Sequence, residues 1–173
     1  MRSHRQLQSR RRHMRLSGYD YRASGAYFVT ICTAGSQPLF GAVHEDRVIL
    51  NELGRIADDC WKTIGHIRSG IAVDTHIVMP NHIHGVLLFS PATDSTNSST
   101  ARTLAAGSLG AIVGQYKSFV TKRSQFMPTP PAPPIWQRNY YDHIIRSAAS
   151  LEIIRKYIVE NPARWMDDVL YIS

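Results

Sequence analysis

A chain of 173 residues that is 43% hydrophobic is sized for one domain with a core of its own, which excludes a disordered or fibrous class. Twenty Lys and Arg against 13 Asp and Glu leave a charge of +7 with histidines neutral, and that excess points to a polyanionic partner, nucleic acid first. Cys32 and Cys60, without Cys-x-x-Cys spacing, exclude a disulfide framework and a Cys-rich zinc site, and the lack of any leader-like or membrane-length apolar run predicts a soluble, cytoplasmic protein.

Residues 1–16 carry Arg2, Arg5, Arg10, Arg11, Arg12 and Arg15 ahead of any acidic residue. They read as a flexible basic arm able to follow a phosphate backbone, the alternative being a solubilising tail. Residues 17–165 read as a single domain. It opens with Gly25 to Thr33, rich in β-branched and aromatic residues and bounded by glycine, which predicts a central strand. Arg47 to Leu50 is a second short extended piece after the loop at Pro38 to Gly41. Asn51 then caps a helix whose Leu53, Ile56, Ala57, Cys60, Trp61 and Ile64 follow helical spacing.

Ile71 to Met79 and His82 to Phe89 are two strands joined by Pro80-Asn81, a connection short enough for an antiparallel hairpin. The polar stretch at about 90–103 predicts an exposed flexible loop. Leu104 to Phe126 predicts a helix despite Gly107, Gly110 and Gly114, each of which weakens it by about 1 kcal/mol, with Lys117, Lys122 and Arg123 on its polar side. A stiff Pro-rich connector covers 128–134, and Ile135 to Arg146 reads as a strand with an adjoining turn that carries Arg138. Ser147 or Ser150 caps a last helix with Leu151, Ile154, Tyr157 and Ile158 on one stripe, ending before Pro162, and 166–173 reads as a tail. This order predicts an α+β fold: a ferredoxin-like, RRM-like antiparallel sheet with helices on one face and an added C-terminal helix.

The chemistry concentrates in "MPNHIHGVLLF". Successive strand residues alternate faces, so His82 and His84 project from one face about 7 Å apart, where two imidazoles can converge on one metal ion. The alternative is a pair of surface histidines. A metal needs a further ligand from elsewhere, and "RKYIVENP" offers Tyr157 and Asn161, four residues apart on one helical face. A carboxamide oxygen suits a hard cation, magnesium or manganese, and a tyrosine beside a cation-bound phosphate is a candidate nucleophile for covalent cleavage of DNA. Against this, Tyr157 also reads as a core aromatic and Asn161 as a helix C-terminal residue.

"MPNHIHGVL" resembles the histidine–hydrophobic–histidine signature of the HUH single-tyrosine transposases, and "KYIVEN" resembles their nucleophile-bearing helix. With "GYDYRASGAYFVTICT", "YKSFVTKR" and "WQRNYYDHIIR" in the same order, the chain is similar over residues 17–165 to the REP-associated tyrosine transposases. The resemblance implies His82, His84 and Asn161 as ligands of Mg2+ or Mn2+, with Asn161 where many relatives have glutamine, and Tyr157 as nucleophile on the C-terminal helix. It implies cleavage of single-stranded DNA at imperfect hairpins through a 5′-phosphotyrosine, rejoining by a 3′-hydroxyl, and a monomer or homodimer. The Ser/Thr loop and the Pro-rich connector depart from the family pattern. Arg10, Arg11, Arg12, Arg15, Lys117, Lys122, Arg123 and Arg138 are the expected DNA contacts.

Tyr140 and Tyr141 are rival nucleophiles, with His143 as a nearby base, or else packing and base-stacking residues. His76 is expected at the surface or bonded to a metal-bound histidine. Other readings remain: a noncatalytic single-strand binder that stacks bases on Tyr27 and Phe28, or an HUH replication initiator. A histidine-triad hydrolase needs a third alternating histidine, and position 86 is Val.

Overall fold

Alternation along two long strands determines the architecture. In the computed structural model, which describes residues 24–90 and 108–171, β1 (Gly25–Cys32) sends Tyr27, Val29 and Ile31 into the larger hydrophobic core. Its Phe28 belongs to a second, smaller cluster on the other side. The basic arm with Arg10, Arg11, Arg12 and Arg15 lies outside the described residues, as does nearly all of the loop at 90–103.

β1 pairs antiparallel with β5 (His82–Phe89) and, on its other edge, with β6 (Tyr141–Ile145), while β4 (Ile71–Met79) pairs with β5. The sheet order is β4-β5-β1-β6, so β1 is central as its composition predicts. A separate hairpin of β2 (Gly41–His44) and β3 (Arg47–Leu50) turns at Glu45 and Asp46, both at positive φ. The sequence marks only the second of these strands, because β3 carries the run Val48-Ile49-Leu50 whereas β2, Gly41-Ala42-Val43-His44, has a single β-branched residue.

α1 (Glu52–Lys62) begins where Asn51 accepts a hydrogen bond from the Gly54 amide at 2.9 Å, a side-chain N-cap. The short α2 (Ile64–Ile67) follows it. α3 (Leu109–Ser124) starts from a Ser108 cap and places Leu109, Ile112, Val113, Tyr116 and Val120 in the larger core beside Trp61. Trp61 is wholly buried and lies directly over β5: a Cβ at Gly85 would stand 2.2 Å from its ring. α4 (Ala148–Glu160), capped by Ser147, covers the opposite face, where Leu151, Ile154 and Ile158 pack with Phe28, Val86 and Ile145. The fold is α+β, with the C-terminal helix on the far side of the sheet from α1 and α3. Among the described residues no helix is long and apolar enough to cross a membrane.

Two departures from the expected chain path bear on function. β4 is interrupted: Val73 opposes Leu87 while His76 opposes Gly85, so Asp74 and Thr75 together face Val86 in a bulge. This extra residue puts Ile71, Val73, His76 and Val78 on the α1 side and Ile77 on the α4 side, where uninterrupted alternation would leave odd-numbered residues together. Residues 166–171, read as a tail, instead continue a 3-10 turn (Pro162–Asp167) that folds back over the end of β5. Trp165 is buried with its ring 5.9 Å from that of His82, and Tyr171 packs edge-on against Trp165.

Candidate active site

β5 delivers both histidines to the α4 face, in register with Cys32 and Thr30 of β1. They are buried, 0% and 3% exposed, with ring centroids 4.3 Å apart. Burial holds both imidazoles neutral, with pKa values lowered to about 3, and for His84 the neighbouring His82 adds to the effect. Each ring is gripped at Nδ1: His82 by Asn81 Oδ1 at 2.8 Å, His84 by the Thr30 hydroxyl at 2.9 Å. Both Nε2 atoms are thereby turned inward. His84 Nε2 lies within hydrogen-bond distance of the Tyr157 hydroxyl, at 3.2 Å, whereas His82 Nε2 is buried with no hydrogen-bond partner.

α4 brings Tyr157 and Asn161 to this place on consecutive turns, Asn161 retaining helical backbone angles as the C-cap. Tyr157 is 38% exposed, reachable from solvent while its ring meets Phe28 edge-on. Burial raises the pKa of its phenol, the Asp168 carboxylate raises it further, and a hydrogen bond with Asn161 partly offsets them. Asn161 is buried: its Nδ2 donates to Asp168 at 2.7 Å, and its Oδ1 has no partner. Among the described residues only three buried side-chain polar atoms lack a partner, and two of them, His82 Nε2 and Asn161 Oδ1, belong to this site. A buried acceptor without a donor is costly unless a cation or water meets it.

Asp168 is the residue that sequence reasoning missed. Its carboxylate lies within 4.8 Å of the histidine nitrogens, together forming a His-His-Asp cluster with the spacing to hold a metal ion. Its only signal is an acidic pair after the helix, in a stretch with no periodicity.

The remaining candidates are dispersed. His76 does not approach the histidine pair: the β4 bulge puts it on the α1 face, where Nε2 meets Asp58 at 2.8 Å and the ring stacks near Trp61. Tyr140 packs against the larger core, while Tyr141 and His143 are exposed on edge strand β6, opposite Thr30 and Phe28 on the site's face. Lys117 is not an outward-facing cation, since its Nζ donates to the carbonyls of Gln137 and Asn139 and burial lowers its pKa to about 8. Lys122 and Arg123 are exposed on α3, across the sheet from the site, and Arg138 is exposed in the segment before β6. The stacking platform expected of a noncatalytic binder is closed, because Tyr27 and Phe28 are both buried.

The fold has relatives among solved structures. A REP-associated tyrosine transposase bound to a REP hairpin superposes with a TM-score of 0.59, at 17% identity, over 87% of this chain and 74% of that one. A Deinococcus radiodurans protein described as a putative transposase gives a TM-score of 0.46, also at 17% identity, over 84% of this chain and 95% of that one. The fold is that of a REP-associated tyrosine transposase, the class that the motifs of the sequence resemble. In sequence, an uncharacterized protein of Haemophilus influenzae is 35% identical over 180 residues, spanning 94% of both chains, and the chain belongs to the same family as that protein. No protein-family model matches it.

Proposed function

We propose that the chain is a metal-dependent DNA nicking and joining enzyme of the HUH transposase type, acting on single-stranded or hairpin DNA with Tyr157 as nucleophile. One observation carries the reading: the hydroxyl of the partly exposed Tyr157 sits 3.2 Å from the inward nitrogen of His84, in a site that also holds the unpartnered His82 Nε2 and Asn161 Oδ1. The carboxamide oxygen and the carboxylate suit Mg2+ or Mn2+, and two neutral imidazole nitrogens complete a donor set for a divalent cation. His82, His84 and Asn161 would hold the cation, with Asp168 within reach. When bound, such a cation supplies positive charge against the phosphoryl oxygens of the DNA.

The chain's own part is attack and retention. The Tyr157 oxygen bonds to phosphorus as its proton departs, the bond from phosphorus to the 3′-oxygen breaks, and that oxygen takes up a proton to leave as a 3′-hydroxyl. The phosphotyrosine ester conserves the cleaved bond, so a 3′-hydroxyl can reverse the step and rejoin a strand without nucleotide hydrolysis. Tyr141 and His143, exposed on edge strand β6 and on the face of the site, are the side chains placed to meet bases. The arm at 1–16 supplies phosphate contacts.

The test is denaturing electrophoresis after incubation with a labelled hairpin carrying a single-stranded flank and Mg2+. A covalent adduct is expected from the unaltered chain, and none from Tyr157→Phe or in excess chelator, with hairpin binding by Tyr157→Phe within a few-fold. An adduct that survives in Tyr157→Phe and vanishes in Tyr141→Phe transfers the role to the edge strand, and full cleavage in chelator removes the metal.

A further inference from the structure

Asn81 reads in the sequence as a turn residue, yet it is 2% exposed and its amide is fully engaged. Its Nδ2 donates to two backbone carbonyls, Ser36 at 3.1 Å and Leu170 at 2.7 Å, while its Oδ1 lies 2.8 Å from His82 Nδ1. The Asn81 backbone carbonyl is held in turn by the amide and hydroxyl of Thr33 at 2.9 and 3.0 Å. Ser36 presents its carbonyl from a left-handed backbone conformation, φ 56°.

These contacts determine a proton. Carbonyl oxygens only accept, so the NH2 end of Asn81 must face Ser36 and Leu170; the reverse orientation would oppose its oxygen to two others. The oxygen end therefore faces His82 and also only accepts, so the proton between them sits on His82 Nδ1. A neutral imidazole carries one N–H, which leaves Nε2 with its lone pair directed inward. We propose that Asn81 is a positioning residue that selects the tautomer of His82, and that the Ser36 and Leu170 carbonyls enforce the choice by orienting its amide. The opposite tautomer would aim an N–H into the site, where it repels a cation. The consequence for metal binding rests on the function proposed above; the tautomer does not.

The experiment is long-range 15N–1H NMR of the full metal-free chain near neutral pH. For His82 we expect a protonated Nδ1 and an unprotonated Nε2, and a proton on Nε2 overturns the proposal whatever any variant does. In Asn81→Ala, checked for folding by circular dichroism, the ring shifts toward Nε2–H, and full retention of Nδ1–H overturns the role of Asn81. Should that variant not fold, the spectrum of the unaltered chain still decides the tautomer. Mn2+ affinity is then compared by electron paramagnetic resonance between Tyr157→Phe and the same chain with Asn81→Ala, where a weakening of about 10–100-fold is expected. Equal affinities with a shifted tautomer overturn the link to the cation. No Mn2+ binding by either chain, with Nδ1 protonated, defeats the metal reading and leaves the tautomer assignment standing.

Discussion

The two faces of the four-stranded sheet are made from alternate residues of the same strands and have opposite character. Toward α1 and α3, Tyr27, Val29, Ile31, Ile83 and Leu87 join one large apolar cluster with Trp61. Toward α4, one residue out of step, Thr30, His82 and His84 form a buried polar group flanked by the smaller cluster of Phe28, Val86, Ile145 and Ile158. A strand can thus seat neutral histidines in its interior without weakening the core, provided the core is complete on the other face. Stability and chemistry then belong to neighbouring residues and are separable by substitution.

The hardest way to strain that division is on the apolar side. Trp61→Ala is expected to cost about 3–5 kcal/mol in urea unfolding, by loss of a wholly buried indole. Ile83→Ala is expected to cost about 2–5 kcal/mol while cleavage by the folded fraction survives. His84→Ala, one position along, should abolish the covalent adduct at a cost of about 1–3 kcal/mol for leaving Thr30 unpartnered. If His84→Ala cleaves normally and unfolds as readily as Ile83→Ala, the two faces are not divided in this way. Gly85→Ala sharpens the comparison, since the added methyl meets the Trp61 ring and should cost about 1–3 kcal/mol.

A smaller effect concerns how α4 is pinned to the sheet. The Arg155 guanidinium donates to Asp74 at 2.6 and 2.9 Å and, with support from Thr75, holds its carboxyl at about 2, below the ordinary 3.8. Because the folded-state pKa is the lower one, this contribution is fully present above about pH 4 and is lost as pH falls through about 2. Asp74→Asn should therefore flatten the pH dependence of unfolding within that window, and an unchanged profile would deny the pair its role. The smallest changes are expected at Lys122→Ala and Arg138→Ala, within about 0.5 kcal/mol in stability. If either residue neutralises a phosphate of single-stranded DNA, its removal lowers the slope of log affinity against log salt by about 0.7. Lys117→Ala should leave that slope unchanged, its ammonium being committed to two carbonyls.

What could be read from the sequence divides along physical lines. β1, the β4–β5 hairpin, α1 and α4 announce themselves through periodicity and caps, and the positions of His82, His84, Tyr157 and Asn161 on those elements follow. The bulge at Asp74 and Thr75 leaves no mark, because Ile71, Val73, Thr75, Ile77 and Met79 continue an unbroken alternation along the chain. For that reason the side of the sheet that His76 takes is not legible in the sequence. Asp168 and Asn81 act through contacts between segments far apart in sequence, which no local pattern encodes. The engagement of Lys117 is equally a property of the segment before β6, whose Gln137 and Asn139 carbonyls hold its ammonium.

The hydroxyl of Tyr157 meets a strand made well before it, its partner His84 lying 73 residues earlier in the chain. During synthesis a nascent polypeptide that has reached only β6 already owns both histidines but not the helix that carries Tyr157. The pairing arises when the stripe of Leu151, Ile154 and Ile158 docks on Phe28 and Val86, so under the proposed function an unfinished or truncated copy is inert toward the genome that encodes it.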